Sequence, residues 1–204
     1  VRGAGAEAWL QSLITNDVSK LVPGRGLYTV ACNEAGGCRD DLIIYKLAGE
    51  WMVIMNAGNR EKIVAHFTAH LPASGVSLVN RSDELAMIAF QGAKAPSVMA
   101  GLAPGALSLK RFGIAAFDLF GQSMLVARTG YTGEDGFELF PAAASAVAVW
   151  EGLIASGTDL PVISCGLGAR DGRRLEVGYP LYGHEIDEDT APFEAGLGWT
   201  VKLD

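Results

Sequence analysis

Two pairs of short apolar runs, each pair interrupted by a turn, constrain the fold of this 204-residue chain more than any other feature. The runs 42–47 and 51–56 form the first pair, and the runs 113–120 and 122–128 form the second. Apolar runs of this length joined by a short glycine-bearing turn predict antiparallel hairpins. Each hairpin precedes a loop and a helix-like segment, so the pattern favours an α+β fold over a doubly wound parallel sheet.

Helix-like segments separate these hairpins from the other strand-like runs, because their apolar residues recur at helical spacing. Asn59 can cap a helix that runs to about residue 71. Pro141 suits the first turn of a helix that ends near residue 157. The run 85–90 is almost continuously apolar, which predicts a central strand.

The order strand, strand, loop and helix over residues 42–71 recurs over residues 113–156. We therefore expect duplicated units of antiparallel sheet and helix, interlocked within one domain that spans residues 1–204. The two expected subdomains are about 1–80 and 81–204. Half of the residues are apolar, which is enough to bury a sizeable core.

Charge and cysteine content exclude several classes of protein. A net charge of −7 argues against a nucleic-acid-binding surface, because such a surface needs a basic patch. No apolar run reaches the ~18 residues that a membrane-spanning helix requires. The three cysteines are odd in number and have no C-x-x-C spacing, so we expect a reduced intracellular protein.

The first candidate for chemistry is the acid pair Asp40-Asp41, which lies between a glycine turn and an apolar run. Side chains alternate along a strand, so the two carboxylates are expected on opposite faces. At least one then points toward a packed face, where it needs a hydrogen-bonding partner. The alternative is an ordinary pair of acids in a turn or at a strand start, and these residues alone leave both interpretations open.

The segment 128–139 carries three glycines spaced three residues apart, together with an aromatic ring, charged groups and hydroxyls. Glycines allow a backbone to approach another surface closely. Tyr131 could form the wall of a pocket for a flat heteroaromatic ligand, and a carboxylate could accept two parallel N–H bonds from the edge of that ring. The alternative is a tight connection that needs glycine for positive φ angles.

The segment 165–176 has glycines in the pattern G-x-G-x-x-x-G, which is one residue too long for a dinucleotide-binding turn. On a helix, Arg170 and Arg174 would share one face, with Arg173 beside them. These arginines could hold a carboxylate or a carbonyl oxygen. Ion pairs with acids of the same helix would instead account for two of the three.

His66 and His70 have a spacing that can seat zinc on a helix. No third ligand is apparent, and Phe67 follows His66 where zinc proteases have glutamate. We therefore interpret both histidines as surface residues and expect no metal.

In this order, the segments resemble the T-protein (aminomethyltransferase) family of the glycine cleavage system, and the match covers nearly the whole chain. Family members have further sequence before the position of Val1 and a barrel-like domain after that of Asp204, so we expect a fragment that lacks both ends. The matching pieces are Leu13-x-Thr15-Asn16-Asp17, Gly26-Leu27-Tyr28-Thr29, Asn33-Glu34-x-Gly36-Gly37, Asp40-Asp41-Leu42, Asn56-Ala57-Gly58-Asn59, Gln91-Gly92, the segments 128–139 and 166–175, Pro180-Leu181-Tyr182-Gly183-His184-Glu185 and Pro192-x-Glu194-x-Gly196-Leu197.

The resemblance implies an enzyme, a tetrahydrofolate-dependent aminomethyltransferase. In the family, an aminomethyl group on the lipoyl sulphur of a carrier, the H-protein, gives its carbon to tetrahydrofolate. Ammonia leaves, and methylenetetrahydrofolate and the dihydrolipoyl carrier result. The implied cosubstrate is tetrahydrofolate and the implied partner is the lipoylated H-protein, with no metal, nucleic acid or membrane. The implied location is the bacterial cytoplasm rather than the mitochondrial matrix.

The resemblance also carries roles onto matching residues. Asp41 matches the catalytic acid near the folate N5 and N10 atoms, although Asp40 belongs to the same motif and is kept among the folate-binding positions. Glu138 matches the carboxylate that holds the pterin edge. The other positions that match folate-contacting residues are Tyr28, Tyr45, Tyr131 and Arg170.

Two related functions compete with this one. The same domain occurs in dimethylglycine- and sarcosine-oxidising enzymes, where folate traps released formaldehyde, and in a demethylase of sulphonium compounds. Another branch is a non-transferase that binds folate and supports iron–sulphur or tRNA chemistry, and it carries a K-G-C-Y segment that this chain lacks. The match over residues 166–184 favours the T-protein.

Overall fold

The structure is a computed structural model that describes residues 1–157 and 160–203. The chain forms two compact units, one made of Val1–Asn80 with Pro180–Asp204 and the other of Arg81–Tyr179. Each unit contains an antiparallel sheet with helices packed on it. The predicted α+β class of antiparallel sheets and helices is confirmed.

A three-stranded antiparallel meander forms the sheet of the first unit. Its central strand begins four residues before the apolar run 42–47, because its ladder with the preceding strand extends down to the Cys32–Cys38 pair. Asp40 and Asp41 therefore lie inside a strand and not in a turn. The strands are β1 (Arg25–Cys32), β2 (Cys38–Lys46) and β3 (Trp51–Met55).

Two helices, α1 (Ala6–Gln11) and α2 (Arg60–Ala69), pack on one face of this sheet. Leu10 of α1 and Phe67 of α2 are buried together with Leu42 and Ile44 of β2. Removing this apolar surface from water is the main force that holds the helices on the sheet.

Residues 180–203 return to the first unit and cover part of the other face. Ile186 and Leu197 are buried in one cluster with Val30 of β1 and Cys38 of β2. The Cys38 N–H also donates to the Thr190 carbonyl oxygen at 3.0 Å. This segment ends in a short 3₁₀ turn, Gly198–Thr200.

The sheet of the second unit has four antiparallel strands in the order β4-β7-β6-β5. β5 and β6 form the predicted second hairpin. The run 85–90 ends in β4, which lies at the edge of the sheet, so its assignment to a central strand was wrong. Ile88 and Phe90 are buried but Ala89 is exposed, so the run is apolar without being covered on both sides. The strands are β4 (Ile88–Gln91), β5 (Ile114–Leu119), β6 (Gln122–Ala127) and β7 (Gly136–Phe140).

The core of the second unit lies between this sheet and the helices α3 (Ala95–Leu102) and α4 (Ala146–Ala155). Phe137 and Leu139 of β7 are completely buried in this core, which places Glu138 on the other face of the strand. A polar helix, α5 (Leu167–Glu176), follows. Over the described part of the chain, none of the helices combines the length and apolar character needed to span a bilayer.

Candidate functional site

The Asp40 carboxylate is fully buried, with 0% of the residue exposed. The Asn56 N–H donates to Oδ2 at 3.1 Å, and the side-chain amides of Asn56 and Asn59 donate to Oδ1 at 2.9 and 2.6 Å. Burial raises the pKa of Asp40, while these hydrogen bonds and the charge of Lys62 act in the opposite direction. Asp40 therefore ties β2 to the turn at the start of α2.

Asn59 lies at the N-cap position of α2, as predicted, but its side chain makes no capping hydrogen bond. Its side-chain amide instead donates a hydrogen bond to Asp40. The prediction that Asn59 precedes α2 is confirmed, but the prediction that its side chain caps the helix is wrong.

Asp41 points to the opposite face of β2 and is only partly buried. The Tyr28 hydroxyl donates to Oδ2 at 3.0 Å, and the Asn56 amide donates to Oδ1 at 2.6 Å. Burial raises the pKa of the Asp41 carboxyl, and the negative charge of Asp40 raises it further. The prediction that the acid pair faces both sides of a strand and needs partners is confirmed, and the ionised Asp41 is best stabilised by a nearby positive charge.

Two aromatic contacts of the first unit involve residues that interact with the acid pair, Tyr28 with Asp41 and Lys62 with Asp40. The Tyr28 ring stacks on Trp199 with 5.6 Å between ring centroids and an angle of 22°. Lys62 Nζ lies 4.1 Å from the centre of the Tyr182 ring, donates to its hydroxyl at 2.6 Å and pairs with Glu188 at 3.3 Å. Sequence reasoning did not single out Trp199 or Lys62, because neither stands beside the acid pair in the chain.

Tyr45 is placed differently from Tyr28. It is 0% exposed, and its ring occupies the space beside Gly26, its cross-strand partner, where any Cβ would collide with it. The structure thus brings Tyr28, Asp40 and Asp41 together and places Tyr45 in the packed interior.

The acid of the second unit, Glu138, lies in the middle of β7 and is 5% exposed. Its cross-strand neighbours are Ala89 and Ala127, which both have small side chains. The Thr129 hydroxyl donates to Oε2 at 2.6 Å. Burial raises the pKa of Glu138, while the Thr129 hydrogen bond and the positive charge of Arg170 oppose that rise.

Arg170 and Tyr131 are in contact, as a shared site would require. The guanidinium carbon lies 4.8 Å from the centre of the Tyr131 ring, which is a cation–π distance. Tyr131 in turn stacks on Tyr179 with ring centroids 5.8 Å apart. The second unit therefore brings Glu138, Tyr131 and Arg170 into one neighbourhood, linked by ring contacts and by electrostatics.

Ion pairs account for the other two arginines of α5, as predicted. Arg173 pairs with Glu134 at 2.7 Å and with Glu176 at 3.1 Å. Arg174 is 3% exposed and pairs with Asp171 at 2.8 Å. Over the described residues Arg170 forms no such pair, so it is the arginine of this helix that is available to a ligand.

The glycines of segment 128–139 serve a tight connection organised by Gln91. The Gln91 amide donates to the carbonyl oxygens of Thr129 and Phe137, both at 3.0 Å. A Cβ on Gly130 would collide with the Gln91 side chain, and Gly133 has a φ of 72°. Gly130 and Gly136 therefore permit a close approach to Gln91, and Gly133 permits one to Val177. Gln91 belongs to a piece that matches the family, but the sequence did not predict it as a residue of this site.

The two histidines of α2 differ in exposure. His70 is exposed, as predicted, whereas His66 is half-buried, and their ring centroids lie 4.6 Å apart. In the part of the chain that the structure describes, no three His, Cys, Asp or Glu side chains are grouped so as to hold a metal ion.

Residues 1–204 match the GCVT N-terminal domain family. The chain belongs to that family. This GCVT domain is 47% identical over 205 residues to an aminomethyltransferase of Chloroherpeton thalassium, and 46% identical over 207 residues to one of Geobacillus kaustophilus. Both alignments cover 100% of this chain and 57% of the relative.

A solved structure agrees with this family assignment. The crystal structure of glycine cleavage system aminomethyltransferase T from Bartonella henselae matches the GCVT domain with a TM-score of 0.85 and 32% identity. That match covers 99% of this chain and 54% of the other. The family predicted from the sequence is confirmed, and the chain spans little more than half the length of these relatives.

Replacing Glu138 by Gln should stabilise the GCVT domain at high pH. Because burial raises the pKa of Glu138, the folded chain keeps its proton over a pH range in which the unfolded chain has lost it. That stability is fully present below the unfolded pKa and is lost as pH rises through the folded pKa. Glutamine mimics the protonated form of Glu138, so the variant should lose less stability than the parent as pH rises.

The measurement is the free energy of unfolding by urea between about pH 5 and 8 for both proteins. The gap between Glu138→Gln and the parent should widen with increasing pH. The exposed Glu151 of α4 provides a matched control, because Glu151→Gln should leave the pH dependence of the parent unchanged. Parallel curves for Glu138→Gln and the parent would rule out a buried acid with a raised pKa.

Proposed function

We propose that this GCVT domain is the folate-binding catalytic part of an aminomethyltransferase of glycine cleavage. It would transfer the methylene carbon of an aminomethyl-lipoyl carrier to tetrahydrofolate, with release of ammonia and of the dihydrolipoyl carrier. The observation that carries the proposal is Asp41, a partly exposed carboxylate held by Tyr28 and Asn56 next to a second, buried carboxylate. The relatives named above support the reaction, and as bacterial proteins they support the bacterial cytoplasm as its location.

Asp41 would act on the positive charge of the reaction. Transfer of the methylene group passes through a cationic iminium, and a fixed carboxylate stabilises that charge as it develops. The charge of Asp40 makes an unneutralised negative charge on Asp41 unfavourable. A cation beside Asp41 is therefore stabilised by two carboxylates and not by one. Asp41 can also orient the attacking folate amine through a hydrogen bond.

Asn56 and Tyr28 would position this carboxylate. The Asn56 amide donates to Oδ1 of both aspartates, at 2.9 Å to Asp40 and 2.6 Å to Asp41. The Tyr28 hydroxyl holds the other oxygen of Asp41. With both oxygens directed by the protein, the acid needs little rearrangement as charge develops, which is the condition for electrostatic catalysis.

Glu138 would bind the pterin ring of folate. A carboxylate accepts two parallel N–H bonds from the amidine-like edge of a pterin, and its cross-strand neighbours Ala89 and Ala127 place no bulky side chain beside it. Binding of those donors to the ionised form offsets the burial that raises the pKa of Glu138. Tyr131 and Arg170 would add a ring contact and a positive charge to the same ligand.

The activity is tested by ammonia release from an aminomethyl-lipoyl carrier, measured with and without tetrahydrofolate on the full-length protein that contains this domain. We expect turnover that depends on tetrahydrofolate and yields methylenetetrahydrofolate in equal amount. Folate binding without any turnover would overturn the proposal in favour of a non-transferase. Release of formaldehyde from dimethylglycine or sarcosine would favour an oxidising enzyme instead.

In that assay, Asp41→Asn should lower kcat by about 10²- to 10³-fold, because it removes one preorganised charge from the transition state. Folate affinity and the midpoint of thermal unfolding should stay near those of the parent, since asparagine has almost the same shape. Asp118→Asn, at an exposed position of β5, is the control and should change neither quantity. An unchanged kcat for Asp41→Asn would exclude the catalytic role.

Replacing Glu138 by Ala should weaken tetrahydrofolate binding by at least tenfold, because it removes both acceptor oxygens from the pterin edge. Isothermal titration calorimetry of parent and variant measures this directly. The exposed Glu151→Ala is the matched control and should bind as the parent does. Equal affinity in Glu138→Ala would refute the assignment of the pterin site.

A further inference from the structure

A cleft of about 610 Å³ in the first unit is not used by the proposed function. Its walls come from the segment after α1, the β1–β2 turn, the two histidines of α2, Arg39 and Glu188. Neither Asp41 nor its partners Tyr28 and Asn56 line it. A cleft of this volume falls in the range of small-molecule sites.

Arg39 enters this cleft from an irregularity in the sheet. Cys32 pairs with Cys38 and Ala31 with Asp40, which leaves Arg39 as the extra residue of a β-bulge. A bulge redirects the side chain of the extra residue relative to the regular alternation. The sequence gives no sign of the bulge, because Arg39 directly precedes the acid pair in an otherwise regular strand.

The guanidinium of Arg39 is not neutralised by the protein. The residue is half-buried, and within the described residues its Nε is a buried donor without a hydrogen-bond partner. No ion pair joins Arg39 to any acid of the described chain. An unpaired guanidinium in partly desolvated surroundings costs free energy, and a bound anion would offset that cost.

His66 lines the same cleft as Arg39 and adds a second group of the same sign when protonated. Burial lowers the pKa of His66, and the charges of Arg39 and His70 lower it further, while Glu188 opposes them. Glu188 is itself paired with Lys62 at 3.3 Å. Glu34 also lines the cleft, so the positive charge that an anion can use there is that of Arg39, which no acid of the described residues pairs with.

We propose that this cleft binds the oxyanion group, carboxylate or phosphate, of a small-molecule ligand between Arg39 and His66. The planar guanidinium offers parallel donors that match two oxygens of either anion. His66 would take up a proton on binding and donate from its ring, because the negative charge of the anion offsets the repulsion between the protonated ring and Arg39. The cleft is larger than the anion alone, so the rest of the ligand would occupy the space along the turn at Asn33 and Glu34.

Calorimetric titration with inorganic phosphate and, separately, with glutarate tests this site. We expect saturable binding of at least one probe, and which of the two binds more tightly identifies the anion. Arg39→Met keeps the length of the side chain, removes its charge and should weaken binding at least tenfold. Arg25→Met, at a half-buried position of β1 outside the cleft, is the matched control and should bind as the parent does.

The ring protons of His66 provide a readout that does not depend on heats. Saturation with the bound anion should raise the pKa of His66 in an NMR titration, because the anion stabilises the protonated ring. His66→Gln identifies the signal and should bind the probe more weakly. No saturable binding of either probe, equal affinity in Arg39→Met, or an unmoved His66 titration would each overturn the proposal. None of these outcomes bears on the ammonia-release assay, because Arg39 and His66 lie outside the Asp41 site.

Discussion

The buried carboxylate of Asp40 is the interaction on which the geometry of the first unit depends. It joins the start of β2 to the end of β3 and to the start of α2 through Asn56 and Asn59. A buried charge without partners would be strongly destabilising, so the turn between β3 and α2 must adopt the conformation that satisfies it. The Asn56 amide that donates to Asp40 also donates to Asp41, so the position of Asp41 follows from the burial of Asp40.

In the second unit, the loop beside the buried acid Glu138 is held in place by the neutral side chain of Gln91. Gln91, at the end of the edge strand β4, donates to both Thr129 and Phe137 and so holds the loop that enters β7. Thr129 is then in place to donate to Glu138. In both units a side-chain amide at or just after a strand end helps to fix the surroundings of a buried acid, and that acid lies on an interior strand of its sheet.

The parts of this structure that follow from local periodicity could be predicted from the sequence. Alternation along a strand placed Asp40 and Asp41 on opposite faces, and helical spacing indicated that acids of α5 could pair with two of its three arginines. Parts that depend on distant segments could not. The run that ends in β4 was predicted to be central, because an apolar run has the same sequence pattern in an edge strand as in a central one. The hydrogen bond from Asn59 to Asp40 joins residues 19 positions apart, and no local pattern predicts such a contact. The bulge at Arg39 and the return of residues 180–203 to the first unit depend likewise on pairing that no local pattern encodes.

Asp40 and Asp41 are adjacent in the chain, and the difference between them is the number of donors that each receives. Asp40 has three hydrogen bonds and no exposure, which makes it a structural acid. Asp41 has a phenol and one side-chain amide and remains partly exposed, so it can still accept a bond from a ligand. The structural acid is nevertheless not passive, because its charge raises the pKa of its neighbour. A neutral residue at position 40 could keep β2 tied to α2, but it would remove the repulsion that makes a positive charge beside Asp41 so favourable.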